Sequence, residues 1–158
     1  MANMFNINTK LELSAVGVGL RKAAEVVKAS DFTDGGGASG TYTLNRQLPA
    51  GAFVLGVKAH VKEAFDDDSE TAALEVGIDG NADAFADGID ISTSGVKGES
   101  GYDQTALYRA EATDILLTVT GNADFTSIAA GDGEMMVEVI YLSTVAELVD
   151  DVPGKYYV

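Results

Sequence analysis

The 158-residue chain has no cysteine and no tryptophan, one histidine, two prolines and only ten lysines and arginines. Without cysteine there are no disulfide staples, no thiolate chemistry and no zinc sites built on sulfur. The compartment stays open, because such a chain suits oxidising and reducing surroundings alike. No stretch approaches the roughly 18 apolar residues that a membrane span requires. Residues 1–6 lack the basic stretch and apolar run of a secretory signal, so none is expected. The few cations face 25 acidic residues, which sets the net charge at −15 and the isoelectric point near 4.1. A surface this negative repels phosphate backbones and anionic lipid, arguing against nucleic acid and membranes as direct partners.

What is present is enough apolar side chain, 46% of the residues, to build a core and to exclude disorder. The length suits one domain with a short arm. The charge is uneven. Residues 1–28 carry Lys10, Arg21, Lys22 and Lys28 against Glu12 and Glu25, whereas residues 63–103 carry twelve acids against Lys97. A basic segment on an acidic body reads either as an arm that docks on something negative or as a first strand with solvated lysines.

Residues 11–29 alternate like a strand at Leu11, Leu13, Val16, Val18 and Leu20, while residues 21–27 would tolerate a helical turn. Gly17 and Gly19 favour the extended reading. Four glycines within residues 34–40 make a firm loop. Strands are then expected at 41–44, 53–65, 72–78, 89–93, 105–110, 114–120 and 134–142, with Leu48-Pro49-Ala50-Gly51 a turn. In the longest, Val57, Ala59, Val61 and Glu63 share one parity and Lys58, His60 and Lys62 the other. Residues 80–85 and 121–125, each containing Gly-Asn-Ala-Asp, read as equivalent turns. Many short strands with polar turns and no long helix give an all-β antiparallel sandwich, with a jelly roll the leading topology. The division is an N-terminal arm or first strand over 1–20, the sandwich over 21–142, and a C-terminal tail over 143–158.

Chemistry has few places to reside. Asp79, Asn81, Asp83, Asp87 and Asp90 have the oxygen spacing of a calcium loop. Ala84 stands where the sharp turn wants glycine, and Asp90 where a bidentate glutamate belongs, so a solvated acidic loop is the simpler reading. Asp66-Asp67-Asp68 with Glu70 reads as a polar hairpin turn that would share a metal only if it met that loop. His60, between two lysines, reads as exposed, with no partner marked for acid–base work. No Gly-x-Ser-x-Gly elbow exists, and Gly35-Gly36-Gly37 leads into a strand rather than a phosphate-binding helix. No enzyme activity, cofactor or metal is expected.

Residues 30–34 before the glycine loop, Thr41-Tyr42-Thr43-Leu44, Leu48-Pro49-Ala50-Gly51-Ala52-Phe53-Val54, and Ala73-Leu74-Glu75-Val76-Gly77-Ile78 running into an Asp/Ala-rich stretch form a pattern. Over residues 22–142 it resembles the decoration, or cement, proteins of tailed-bacteriophage capsids. That resemblance implies a jelly-roll sandwich on the outside of the shell, clamping neighbouring capsomers. The implied partners are the major capsid protein and further copies of the chain, a trimer favoured, in a virion protein made in the host cytoplasm. The tail matches no pattern of that family. The rival is a carbohydrate-binding sandwich, possibly calcium-dependent, although tryptophan is absent and Tyr42, Tyr102 and Tyr108 form no obvious row. A pilus or surface-layer subunit would normally bring a secretion signal.

Overall fold

The computed structural model describes residues 19–66, 71–98 and 102–143. They fold into two antiparallel sheets, as the alternation predicts. The strands are β1 (Gly19–Lys28), β2 (Thr33–Asp34), β3 (Ser39–Thr43), β4 (Ala52–Glu63), β5 (Ala72–Ile78), β6 (Asn81–Asp90), β7 (Gly95–Gly98), β8 (Tyr108–Arg109), β9 (Leu116–Gly121) and β10 (Glu134–Ser143). One short helix, α1 (Phe125–Ala129), precedes β10.

The first sheet runs β1-β10-β4-β7, with β8 also paired to β4, and the second runs β2-β3-β9-β5-β6. Leaving aside the two-residue β2 and β8, the pairs β1·β10, β3·β9, β4·β7 and β5·β6 join first strand to last, second to seventh, third to sixth and fourth to fifth. All four pairs are antiparallel. A long hairpin rolled up on itself gives this nesting, so the sandwich is a jelly roll.

The core lies between the sheets and follows the period-two pattern. Val57, Ala59 and Val61 of β4 point inward, as do Met135, Val137 and Val139 of β10 and Leu117 and Val119 of β9. Four phenylalanines, Phe32, Phe65, Phe85 and Phe125, are buried among them. Phe32 sits in an aromatic group, its ring 6.1 Å from Phe65 in an edge-on arrangement and 6.3 Å from Phe125. Each such ring contributes roughly 2–3 kcal/mol by leaving water. Gly40 makes room for this group: a Cβ there would lie 2.2 Å from the Phe125 ring. Asp124 caps α1 by accepting from the Thr126 amide, and the helix buries Phe125 and Ile128, one turn apart.

Several expectations are corrected. Residues 79–90 are not a loop. Asp79 and Gly80 (φ 80°) make a tight hairpin, and the rest is β6. Two bulges hide that strand. Ile78 pairs with Asn81 but Val76 with Ala86, so residues 82–85 arch over Gly77, where a Cβ would meet the Asn81 carbonyl at 2.2 Å. At the second irregularity a single extra residue is taken up near Gly88, left-handed at φ 69°. The two Gly-Asn-Ala-Asp stretches are therefore not equivalent, because the second leads into α1. The strand expected at 89–93 is only the end of β6, and that expected at 105–110 shrinks to β8. By contrast, residues 21–27 are extended within β1, the reading that Gly17 and Gly19 favoured.

Candidate functional site

The calcium-loop residues do not converge. Asp79 stands in the hairpin, and Asn81, Asp83, Asp87 and Asp90 follow along β6, an edge strand. Asn81 donates to Asp103 at 3.3 Å. Asp90 accepts from the amide (2.9 Å) and hydroxyl (2.6 Å) of Ser92, with Lys97 3.7 Å away, and these contacts lower its pKa. Asp103 and Asp124 accept in the same way from Thr105 and Thr126. The recurring Asp-x-Ser/Thr spacing is a turn signal that the oxygen-counting reading missed. Burial, then the charges of Asp87 and Asp83, push the Glu75 pKa up. Among the described residues no three acids or histidines are grouped to hold a metal. Of the other acidic cluster, only Asp66 lies within the described residues.

The two outer faces of the sandwich differ in chemistry. On the second sheet, cross-strand rows read Thr33, Thr41, Thr118 and Glu75, then Ser39, Thr120, Ala73 and Asp90. That face is hydroxyl and carboxylate. On the first sheet the corresponding rows are Leu20, Leu142, Phe53 and Tyr108, then Ala24, Glu138, Lys58 and Gly98, then Val26, Met136, His60 and Val96. Seven large hydrophobic side chains are exposed among the described residues. Leu20, Val26, Phe53, Leu55, Val96 and Tyr108 stand on strands of this sheet, and Tyr102 lines a hollow with Phe53 and Leu55. Apolar side chains gathered on one face of a sandwich mark an interaction site more than ones spread over both faces do.

Glu138 sits at the middle of that face and is only 6% exposed. Lys22, from β1, donates to its Oε1. From β4, His60 Nε2 lies 3.0 Å from Oε2 and Lys58 Nζ 3.7 Å. An ionised carboxylate only accepts, so His60 Nε2 carries the hydrogen of that bond. Hydrogen bonds from Lys22 and His60 hold the Glu138 pKa at about 2, against the desolvation that pushes it up. His60 is thus half-buried and paired, not exposed without a partner. The basic residues of the N-terminal stretch also divide: Arg21, Lys22 and Lys28 belong to β1, while Lys10 lies outside the described residues. With Lys28 and Lys62 beside Glu134, and Glu63 paired in register with Glu134, the face carries four lysines to three glutamates on a chain of charge −15.

The tyrosines of the carbohydrate reading are scattered in role. The Tyr42 hydroxyl is committed to Glu25, while Tyr102 and Tyr108 are exposed.

No protein-family model matches the chain, and a search of curated proteins returns no match. Among solved structures it is similar to a chain of the capsid asymmetric unit of cyanophage Pam1, with a TM-score of 0.58 and 23% identity over 80% of this chain and 86% of that one. A chain from the acid-stable capsid of Helicobacter pylori bacteriophage KHP30 aligns over 79% of this chain and 94% of that one, at 17% identity and a TM-score of 0.47. The likeness to the Pam1 chain is one of fold.

Proposed function

We propose that this chain is a structural virion protein that binds the outside of a phage capsid and stabilises contacts between capsomers. The observation that carries this reading is the jelly-roll likeness to a Pam1 capsid chain, which spans most of both chains. A sandwich with one apolar, lysine-bearing face and one hydroxyl and carboxylate face supports it. Such a molecule has one surface suited to protein contact and one suited to water. Its partners on this reading are the major capsid protein and further copies of itself, a trimer favoured. Its residence is the capsid surface after synthesis in the host cytoplasm, and its role is structural, not catalytic. The stretch before β1, which carries Lys10 against Glu12, would serve as a docking arm.

The test is the abundance of the chain in purified particles of its phage, measured by mass spectrometry. A simple whole-number ratio to the major capsid protein is expected, together with earlier release of DNA on heating from particles that lack it. Absence from the particles overturns the reading.

A further inference from the structure

We infer that the outer face of the β1-β10-β4-β7 sheet is the docking surface, and that its partner is a protein surface bearing carboxylates among apolar side chains. The inference rests on the capsid-decoration reading and adds to it the face used and the chemistry of the surface it meets.

Three observations converge on that face. Its apolar residues are well exposed, Leu20 at 65% and Val96 at 64%, and lie at opposite margins of the sheet, so the apolar character spans its width. Among the described residues lysine outnumbers glutamate on it, while the chain as a whole is strongly acidic. Finally, Glu138 on β10 bonds Lys22 and His60 and draws in Lys58, while Glu134 holds Lys62, which fixes basic side chains from two strands, β1 and β4, in place before a partner arrives. Pre-ordered side chains lose less freedom on binding.

The same residues select among partners. A phosphate polyanion would meet Glu138 and Glu134 between the lysines, on a molecule that repels it at long range. A second copy presenting this face would oppose lysines to lysines. A second copy presenting its other face would offer carboxylates but threonine in place of apolar groups. An acidic surface with apolar side chains satisfies both halves of the pattern, the apolar groups supplying affinity and the charges register.

The experiment adds the purified full chain to capsids assembled without it and measures bound copies over a range of protein and salt concentrations. Leu20→Glu and Val96→Glu test the apolar margins, Lys28→Glu and Lys62→Glu the charge, and Thr41→Glu and Thr118→Glu the opposite face. All six side chains are at the surface, and thermal unfolding confirms that each variant is folded. The expected result is an affinity loss on the order of tenfold or more for the first four, none for the threonine variants, and weaker wild-type binding as salt rises. Wild-type binding that the first four variants leave intact, or that the threonine variants abolish, overturns the face while leaving the decoration reading standing. Binding indifferent to salt overturns the acidic partner. Failure of the wild type to bind overturns the decoration reading, and the face with it.

Discussion

The hydroxyl of Tyr42, on β3, donates to Glu25 Oε1, on β1, at 2.7 Å, and so ties one sheet to the other. The Asn45 amide adds a bond to Glu25 Oε2 at 2.8 Å. Burial pushes the Glu25 pKa up, but these hydrogen bonds outweigh it and the pKa is lowered, while the bond to Glu25 raises that of Tyr42.

Tyr42→Phe keeps the ring against Phe32 and deletes only the hydroxyl. The variant is expected to lose about 1 kcal/mol of stability. A denaturant titration checks this, and an unchanged midpoint would show that water replaces the bond without loss.

Gly40→Ala places a methyl group inside the contact distance of the Phe125 ring. Overpacking of this kind is expected to destabilise by about 1–3 kcal/mol. Combining it with Phe125→Leu is expected to cost less than the sum of the two single changes, because the smaller side chain yields the space. Strict additivity in a double-mutant cycle would mean that the ring moves aside freely.

The depressed pKa of Glu138 sets a direction for acid sensitivity. A carboxylate whose folded pKa lies below its unfolded one contributes stability that is present above the ordinary value near 4.5 and lost as pH falls through about 2. Stability should therefore decline from about pH 5 downward, with Glu25, Asp90, Asp103, Asp124 and Glu134 acting in the same sense. Glu138→Gln is expected to destabilise by roughly 1 kcal/mol at pH 7, a modest figure because Lys22 and Lys58 are solvated, and its penalty should shrink toward pH 2. Thermal melts of both proteins across this range check the prediction.

Glu75 has the opposite sign. Its raised pKa means that the folded state disfavours its charge, so the penalty grows as pH rises from about 4.5 toward the folded value. Glu75→Gln is expected to raise the melting temperature at pH 7 and to have little effect at pH 4. A variant less stable at pH 7 would contradict this.

Calcium at millimolar concentration is expected to leave the melting temperature within about a degree of its value in chelator, because a ligand stabilises only the state that binds it. A reversible rise of several degrees would reveal a site that the separated residues of β6 do not suggest.

Much of this architecture is written in alternation. Residues 72–78 are recognisable to the residue, and β4, β9 and β10 nearly so, because each has one wet and one dry side and few glycines to interrupt the period. β6 is not recognisable, because three consecutive buried residues, Ala84, Phe85 and Ala86, break the alternation where the bulge arches over Gly77. Its aspartates also carry the oxygen spacing of a calcium loop and read as a solvated acidic loop, when they are strand-surface and turn residues. The face proposed for docking is legible only in fragments: His60 with its flanking lysines shows a polar parity on β4, but nothing near it in sequence marks Glu138 as its partner.

Composition and periodicity by themselves determined an acidic, cysteine-free β-sandwich, since charge and strand period are local properties of the chain. The nesting of the strands and the assembly of Lys22, Lys58, His60 and Glu138 were decided only by the tertiary structure. Those residues are 36 to 116 positions from one another along the chain, apart from the neighbouring Lys58 and His60. Residues so distant meet through sheet register, and register is set by how the two inner faces pack against each other.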